Sequence, residues 1–264
     1  SGQDSNNSDE NNGDKFFENK STKFIFFICA VCYFALIIGV ETLYRNNLFN
    51  KSLDAEEDFQ KGHDKKSAFY KCWNLFTQLG TGAFVTGVAA IVHLFFPLNS
   101  SFAIFNALFY PFYLTNFFKI IYRSPRPIWM RETITLACSS SYGNPSGHSF
   151  TVFTFYLTLA HIVTNFDFFK RNKTGKILRI VIFCFIVIVN ILVILSRMFL
   201  GAHAINQILY GSFLGFGVYF LINWVFSFHT MEAYYFCNFI KKKIIVIAYL
   251  AINILFVIII ILEK

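Results

Sequence analysis

The chain contains 264 residues, of which 55% are hydrophobic, 20% are aromatic and only 14% are charged. Soluble domains have about 45–50% apolar and about 25% charged residues. This composition excludes a disordered chain, a disulfide-rich secreted module and a collagen, and it indicates an integral membrane protein. The net charge is +8. Because most cations lie in short stretches between apolar runs, membrane topology and an anionic ligand explain them better than a nucleic-acid partner does.

The first segment of the chain is polar, and the remainder is predominantly apolar. Residues 1–23 are acidic and show no hydrophobic periodicity, which predicts a disordered polar tail. Residues 24–262 are predicted to form one transmembrane domain. Within that domain, residues 45–74 are the longest polar stretch, and we expect a loop there that could contain a short amphipathic segment.

Seven apolar runs approach the length of about 20 residues that a helix needs to cross a bilayer. In chain order they are residues 24–43, 75–97, 102–122, 149–167, 177–196, 204–227 and 244–262. The second and sixth runs contain several glycines, which allow helices to pack closely in lipid. The predicted fold is therefore an all-α, polytopic transmembrane helical bundle.

Three clusters of polar residues lie at the ends of these spans, where polar side chains in a membrane protein are informative about function. Counting the crossings from the N-terminus places all three clusters on the same side of the membrane. The first cluster contains Lys119, Arg123, Arg126 and Pro127, the second is Asn144-Pro145-Ser146-Gly147-His148-Ser149, and the third contains Ser196, Arg197, Gly201, Ala202, His203 and Gln207.

The chemistry that these clusters share points to phosphate. Arginine binds phosphate oxygens bidentately, and lysine adds a mobile point charge. Ser146 and Gly147 stand at a predicted helix start, where free backbone N–H groups favour an anion. Of the two histidines, one could attack phosphorus and the other could protonate the leaving alcohol.

Each cluster alone has a simpler explanation. A single lysine or arginine at a span end usually extends its side chain to the membrane–water interface. A PSGH tetrapeptide can be an ordinary turn before a helix. A lone histidine beside an apolar helix is more often a packed residue. The occurrence of all three clusters on one face favours a phosphoryl-transfer site.

These residues resemble the motifs of the type-2 phosphatidic acid phosphatase superfamily, which includes lipid phosphate phosphatases and glucose-6-phosphatase. Its K-x6-RP motif is matched by residues 119–127, its PSGH motif by residues 145–148 and its SR-x5-H motif by residues 196–203. The resemblance covers roughly residues 24–227 and implies a six-helix core with one extra C-terminal span.

The resemblance also implies roles for individual residues. His203 would be the nucleophile that forms a phosphohistidine, and His148 would be the general acid. No metal or other cofactor would be needed, because cations neutralise the phosphate charge. The implied phosphate ligands are Lys119, Arg126, Ser146, Gly147 and Arg197.

The sequence departs from the usual superfamily pattern at one position. Most members have Asp four residues after the nucleophile, whereas this chain has Gln207, as glucose-6-phosphatase-like members do. Residues four apart share a helix face, so the amide oxygen of Gln207 is expected to accept the Nδ1–H of His203 and orient the ring. Gln207 supplies no negative charge to a developing imidazolium. Because glucose-6-phosphatase-like members also have Gln there, this departure weakens the inference to a lipid phosphate.

The predicted activity is metal-independent hydrolysis of a phosphate monoester, and the expected substrate is a lipid phosphate such as phosphatidic acid. The alternatives are a sugar phosphate, a prenyl diphosphate, and a catalytically weak helical subunit or lipid-binding protein that kept the fold. The intact His148 and His203 argue against the last of these. Vanadate-dependent haloperoxidases share a similar anion site, but those enzymes are soluble.

The expected location is the endoplasmic reticulum or the plasma membrane. Cations cluster at residues 170–179 and 241–243, on the side opposite the three polar clusters. Cytoplasmic loops carry such clusters, so the active site is expected to face the lumen or the cell exterior, as the resemblance also implies. Cys72 and Cys138 would share a membrane side, which leaves a disulfide between them open.

Overall fold

The computed structural model describes residues 20–134, 136, 139–165, 169 and 172–227. This part of the chain is helical and contains no strand. Residues 1–19 of the predicted tail and the predicted seventh span, 244–262, lie outside the described residues. The helices are α1 (Lys20–Gln60), α2 (Ala68–Gln78), α3 (Gly82–Phe95), α4 (Leu98–Tyr122), α5 (Pro127–Met130), α6 (Gly147–Thr164), α7 (Lys173–Phe199) and α8 (Ile205–Ser227).

Several of these helices are long and apolar enough to cross a membrane. Among the described residues, Phe24–Gln60, Lys173–Phe199 and Ile205–Asn223 each meet both conditions, and the bent pair α2–α3 could be a fourth crossing. Helices α4 and α6 coincide with two further predicted spans but carry more polar side chains, and α6 is largely enclosed by the protein. The prediction of an all-α transmembrane bundle is confirmed.

The first helix is much longer than the predicted span 24–43. It continues to Gln60, so the expected loop at 45–74 is wrong over most of its length. The polar residues after position 43 mark the end of an apolar run, but neither Gly nor Pro interrupts them before Gly62, whose φ of +75° is in the left-handed region. At 1.5 Å per residue a 41-residue helix is about 60 Å long, roughly twice the thickness of a hydrocarbon core.

The C-terminal part of α1 packs against the segments that carry the polar clusters. The Gln60 side-chain amide donates to the Phe199 carbonyl over 2.9 Å. Arg131, which follows α5, forms ion pairs with Asp54 and Glu57. These contacts hold the end of α1 over the ends of α5 and α7.

The second predicted span, 75–97, is broken rather than continuous. Helices α2 and α3 meet at residues 79–81 with a bend of 44°. The Thr81 hydroxyl accepts a hydrogen bond from the backbone N–H three residues later and so caps the start of α3. The Leu79 carbonyl, which a continuous helix would satisfy internally, accepts a hydrogen bond of 2.7 Å from the Tyr156 hydroxyl.

Helix α6 lies at the centre of the bundle and packs against α4, α7 and α8. Its Phe150 and Phe155 side chains are fully buried. Helix α8 approaches closely, because a Cβ added to Gly211 would lie 2.6 Å from the Ser146 carbonyl and one added to Gly215 would lie 2.7 Å from the Phe150 carbonyl. This packing holds the PSGH motif at the start of α6 against the first turns of α8.

Candidate active site

The three polar clusters converge at one end of the bundle, and the Arg126 guanidinium connects them. Its Nη1 donates to the Ala202 carbonyl over 2.8 Å and lies 3.1 Å from Nε2 of His203. Its other N–H groups hold the loop before α6, with Nε 2.6 Å from the Ser141 carbonyl and Nη2 2.9 Å from the Ser141 hydroxyl. Burial lowers the pKa of Arg126 to about 10, so the guanidinium remains a cation at neutral pH.

His203 is almost completely buried, and its ring orientation is defined by its neighbours. Its Nδ1 lies 2.8 Å from the Gly143 carbonyl and 3.3 Å from Oε1 of Gln207. A carbonyl oxygen can only accept a hydrogen bond, so this geometry assigns the ring proton to Nδ1. Nε2 then carries the lone pair, which accepts a hydrogen bond from Arg126.

Gln207 makes further hydrogen bonds besides the expected contact with His203. Its Oε1 accepts from the Ala204 N–H over 3.3 Å as well as lying near Nδ1 of His203, and its Nε2 donates to the Pro125 carbonyl over 2.7 Å. Its backbone carbonyl accepts from the Ser146 N–H over 2.9 Å. Gln207 therefore links the segments that carry the three motifs. Of the two acceptors near Nδ1 of His203, the Gly143 carbonyl is closer than Oε1 of Gln207.

Burial lowers the pKa of His203 well below its ordinary value of 6.5, and the nearby Arg126, Arg197, Lys119 and His148 lower it further. A lowered imidazole pKa favours the neutral form, so we expect His203 to stay neutral from pH 7.5 to below pH 6.5, with its proton on Nδ1. 15N NMR of histidine-labelled protein, assigned by difference from the His203→Ala variant, should show one protonated and one unprotonated ring nitrogen that do not shift through this range. A His203 signal that titrates near pH 6.5 would contradict the assignment.

Arg197 is held by a chain of hydroxyl groups. Its Nη1 donates to the Thr77 hydroxyl over 3.1 Å, and Thr77 Oγ1 lies 2.8 Å from the Ser196 hydroxyl. Nε of Arg197 is buried and has no hydrogen-bond partner in the part of the chain that the structure describes. Leaving a buried, charged donor unsatisfied is costly, so this free N–H favours an anionic ligand at the site.

Lys119 lies in the last turn of α4 and reaches the same loop as Arg126. Its Nζ is 3.3 Å from the Ser141 hydroxyl, which Arg126 also contacts. Ser141 and Thr77 thus support predicted phosphate ligands, although neither belongs to a motif. The run of serines at 139–141 is a weak sequence signal for the first, and a single threonine at the end of an apolar run is no signal for the second.

The backbone N–H of Ser146 is expected from the sequence to be free to bind an anion, but in the structure it is already hydrogen-bonded. That N–H donates to the Gln207 carbonyl, and the Ser146 hydroxyl caps α6 by accepting from the N–H and hydroxyl of Ser149, at 3.4 and 3.0 Å. In the described part of the chain, the free N–H groups at this helix start therefore belong to Gly147 and His148, the first two helical residues. Ser146 acts here by fixing the helix start.

A groove with a volume of about 830 Å³ opens beside the cluster. It begins at Lys119, Gly147 and His148 and extends between α3 and α4 as far as Ser101. Along α4, the 18 residue-to-residue steps from Ser101 to Lys119 correspond to about 27 Å. Its walls are mainly apolar and include Val85, Ala89, Ile104, Phe105, Leu108 and Phe112. Phe105 and Phe112 are 54% and 60% exposed, so the groove is continuous with the outer surface of the bundle.

His148 lies where the groove meets the cationic cluster, and its side chain is partly exposed. The bend between α2 and α3 passes beside its ring, since a Cβ added to Gly80 would lie 3.1 Å from Cδ2 of His148. Thr115, one turn before Lys119, faces Gly147 and also lines the groove. The Thr115 hydroxyl is buried without a partner among the described residues.

The sequence predicts no metal ion at the site and leaves a disulfide between Cys72 and Cys138 open. Within the described ranges, no group of three or more His, Cys, Asp or Glu side chains lies close enough together to hold a metal ion. Cys138, the residue that could pair with Cys72, lies outside the described residues.

Comparison with known families identifies the family of this chain. A sequence model of the PAP2 superfamily matches residues 97–231, slightly more than half of the chain. The chain belongs to the PAP2 superfamily. The resemblance carried by the three motifs is thereby confirmed. No curated protein sequence matches the chain.

The PAP2 fold is also present in a solved structure, the crystal structure of the first transmembrane PAP2 type phosphatidylglycerolphosphate phosphatase from Bacillus subtilis. The similarity has a TM-score of 0.64 at 18% sequence identity, and it covers 77% of this chain and 98% of that chain. At this identity the similarity concerns the fold. Family, fold and apolar helices together identify an integral membrane PAP2-type phosphatase.

The segment that matches the PAP2 superfamily starts just before α4 and includes all three motif clusters. Helices α1 to α3 precede it, yet they complete the site. Thr77 in α2 holds Arg197, the bend at Gly80 contacts His148, and α3 forms one wall of the groove.

Proposed function

We propose that this PAP2-type phosphatase hydrolyses a lipid phosphate monoester, such as phosphatidic acid, through a phosphohistidine on His203. The observation that carries the proposal is the apolar groove, which connects Lys119, Gly147 and His148 with the exposed aromatic faces of α4. A hydrocarbon chain could lie in this groove while its phosphate reaches the cations. A sugar phosphate has no apolar portion that would use it.

In the first half of the reaction, Nε2 of His203 attacks phosphorus, a P–N bond forms and the P–O bond to the leaving alcohol breaks. His148, at the mouth of the groove, donates its proton to the leaving oxygen. The bound phosphate takes over the N–H of Arg126 that contacts Nε2 in the free protein, which exposes the nucleophilic lone pair. In the second half, water attacks phosphorus, His148 accepts its proton, and the P–N bond breaks.

The phosphate oxygens are held by Lys119, Arg126 and Arg197, together with the N–H of Gly147. Such a site works by positioning and by charge neutralisation. Ser146 supports the phosphate indirectly by capping α6, and Gln207 helps the Gly143 carbonyl to orient the ring of His203.

A panel of substrates tests the proposed class. Purified protein would be assayed for phosphate release from phosphatidic acid, sphingosine phosphate, a prenyl diphosphate and glucose-6-phosphate in parallel. We expect the highest kcat/KM for a lipid phosphate monoester. Preference for glucose-6-phosphate or for the prenyl diphosphate would replace the proposed substrate class, and release from none would support a non-catalytic protein.

Filling the groove should separate lipid substrates from small ones. Ala90 lines the groove and is exposed, so Ala90→Trp is expected to lower kcat/KM for long-chain phosphatidic acid by about tenfold or more, since forcing extra volume into a filled space costs about 1–3 kcal/mol. The rate with p-nitrophenyl phosphate, which lacks a chain, should stay within about twofold. Phosphate release is measured for both substrates.

The matched control is Ile91→Trp, at an exposed neighbouring position of α3 that does not line the groove. It should leave both rates unchanged. Equal loss of both activities in Ala90→Trp, or equal effects of the two tryptophans on phosphatidic acid, would contradict the role of the groove.

We further propose that the site faces the lumen of the endoplasmic reticulum or the cell exterior, as the cation clusters of the sequence favour. Protease treatment of sealed microsomes tests this orientation. Cleavage within the exposed turn at residues 61–66 from the cytoplasmic side would reverse it.

A further inference from the structure

A buried carboxylate on α1 lies behind the active site. Glu41 is 6% exposed, although it is part of a helix whose neighbouring residues are mostly apolar. Its Oε1 accepts two hydrogen bonds, from Nδ2 of Asn144 over 2.6 Å and from Nδ2 of Asn206 over 2.9 Å. Ionisable side chains within a membrane bundle are costly to bury and are usually functional.

The two amides that Glu41 binds belong to the two segments that carry the histidines. Asn144 immediately precedes the PSGH motif that contains His148. Asn206 lies three residues after His203, in the first turn of α8. One oxygen of Glu41 therefore links the two segments. Asn144 is 103 residues from Glu41 in the sequence, and Asn206 is 165 residues from it.

Both asparagines depend on this contact for their orientation. The Oδ1 atoms of Asn144 and Asn206 are buried and have no hydrogen-bond partner among the described residues, so the bonds to Glu41 are what orients each amide. Removing the acceptor would leave two buried NH₂ groups unsatisfied, which the surrounding segments would have to shift to accommodate.

We propose that Glu41 is a positioning residue that fixes the His148 segment and the His203 segment relative to each other, so that both imidazoles act on the same phosphate. This inference rests on the proposed phosphatase function. Glu41 lies outside the segment that matches the PAP2 superfamily, and none of the three motifs includes it. It contacts no reacting atom and acts only through Asn144 and Asn206.

The test uses the full-length protein and two substrates, phosphatidic acid and p-nitrophenyl phosphate. The wild-type protein must first hydrolyse both substrates. If it hydrolyses neither, that result refutes the proposed function rather than the role of Glu41. Glu41→Leu removes the acceptor, and its kcat for phosphatidic acid is expected to fall by about 10²-fold, the size of effect that a misplacement of about 1 Å produces. Glu41→Gln keeps an accepting oxygen and should remain within about fivefold of wild type.

The ratio of the two activities separates positioning from loss of folded protein. An alkyl leaving group needs the proton of His148 more than p-nitrophenolate does, so Glu41→Leu should lower the rate with phosphatidic acid several-fold more than the rate with p-nitrophenyl phosphate. A smaller folded fraction would lower both rates equally and leave their ratio unchanged. Glu132→Gln, at an exposed position, is the matched control and should change neither rate.

A charge exchange across the contact tests the pairing itself. Asn144→Asp places a second carboxylate against Glu41 and should cause a large loss of activity. Combining it with Glu41→Gln restores a donor opposite an acceptor, since the Gln amide can donate to Asp and still accept from Asn206. The double variant should recover at least tenfold over Asn144→Asp alone. Absence of recovery, or an unchanged activity ratio in Glu41→Leu, would overturn the inference.

Discussion

Replacing His203 by alanine is expected to abolish turnover of every phosphate ester that the protein hydrolyses. The ring is held with Nδ1 on the Gly143 carbonyl and Nε2 towards Arg126, and no other side chain among the described residues occupies this place. Loss of the nucleophile in hydrolases with a covalent intermediate reduces kcat by about 10⁶-fold. Phosphate release from phosphatidic acid should fall below detection in steady-state assays of the purified variant.

The matched control for this variant is His161→Ala, at the other end of α6. It should keep wild-type rates, which would show that removal of a histidine from the bundle does not by itself inactivate the protein. Full activity of His203→Ala towards the preferred substrate would refute the role of this residue.

Replacing His148 by alanine should lower kcat for phosphatidic acid by about 10²–10⁴-fold, the usual contribution of general acid–base catalysis. The nucleophile, Arg126 and Arg197 remain, so attack on phosphorus still occurs when the leaving group needs no proton. The rate of phosphorylation by p-nitrophenyl phosphate should therefore fall much less, and it is measured as the first burst of p-nitrophenol in rapid-mixing experiments. Equal losses for both leaving groups would contradict proton donation by His148.

The sequence was sufficient to predict the motif residues and the fact that they meet. The crossing count placed Lys119, His148 and His203 at one end of a helical bundle, and the structure brings those segments together. Charged groups and histidines are rare in apolar surroundings, so they stand out against the background of the spans. Their clustering is therefore readable without knowledge of any helix packing.

Other parts of the site depend on groups that a sequence does not reveal. The closest acceptor for His203 is a backbone carbonyl, and every residue has one. The N–H of Ser146 is already bound to Gln207, a contact that only the packing of α8 on α6 creates. Glu41 reaches Asn144 across 103 residues, and no local pattern encodes such a pair.

Two errors in the predicted elements have a common physical cause. Hydropathy reports where a chain leaves apolar surroundings, and it does not report where a helix ends. Helix α1 therefore continues through polar residues to Gln60, whereas the apolar run at 75–97 is broken at residues 79–81. Gly80 at that break allows the backbone to approach His148, so the interruption contributes to the site.

We propose that phosphate is transferred to His203 before water releases it. The direct measurement is to incubate the His148→Ala variant with 32P-labelled p-nitrophenyl phosphate, quench in alkali and map the label by mass spectrometry. Loss of the general base should slow hydrolysis of the intermediate, and we predict an alkali-stable, acid-labile phosphate on His203. Label on another residue, or continued hydrolysis without any covalent phosphate, would contradict a phosphohistidine intermediate on His203.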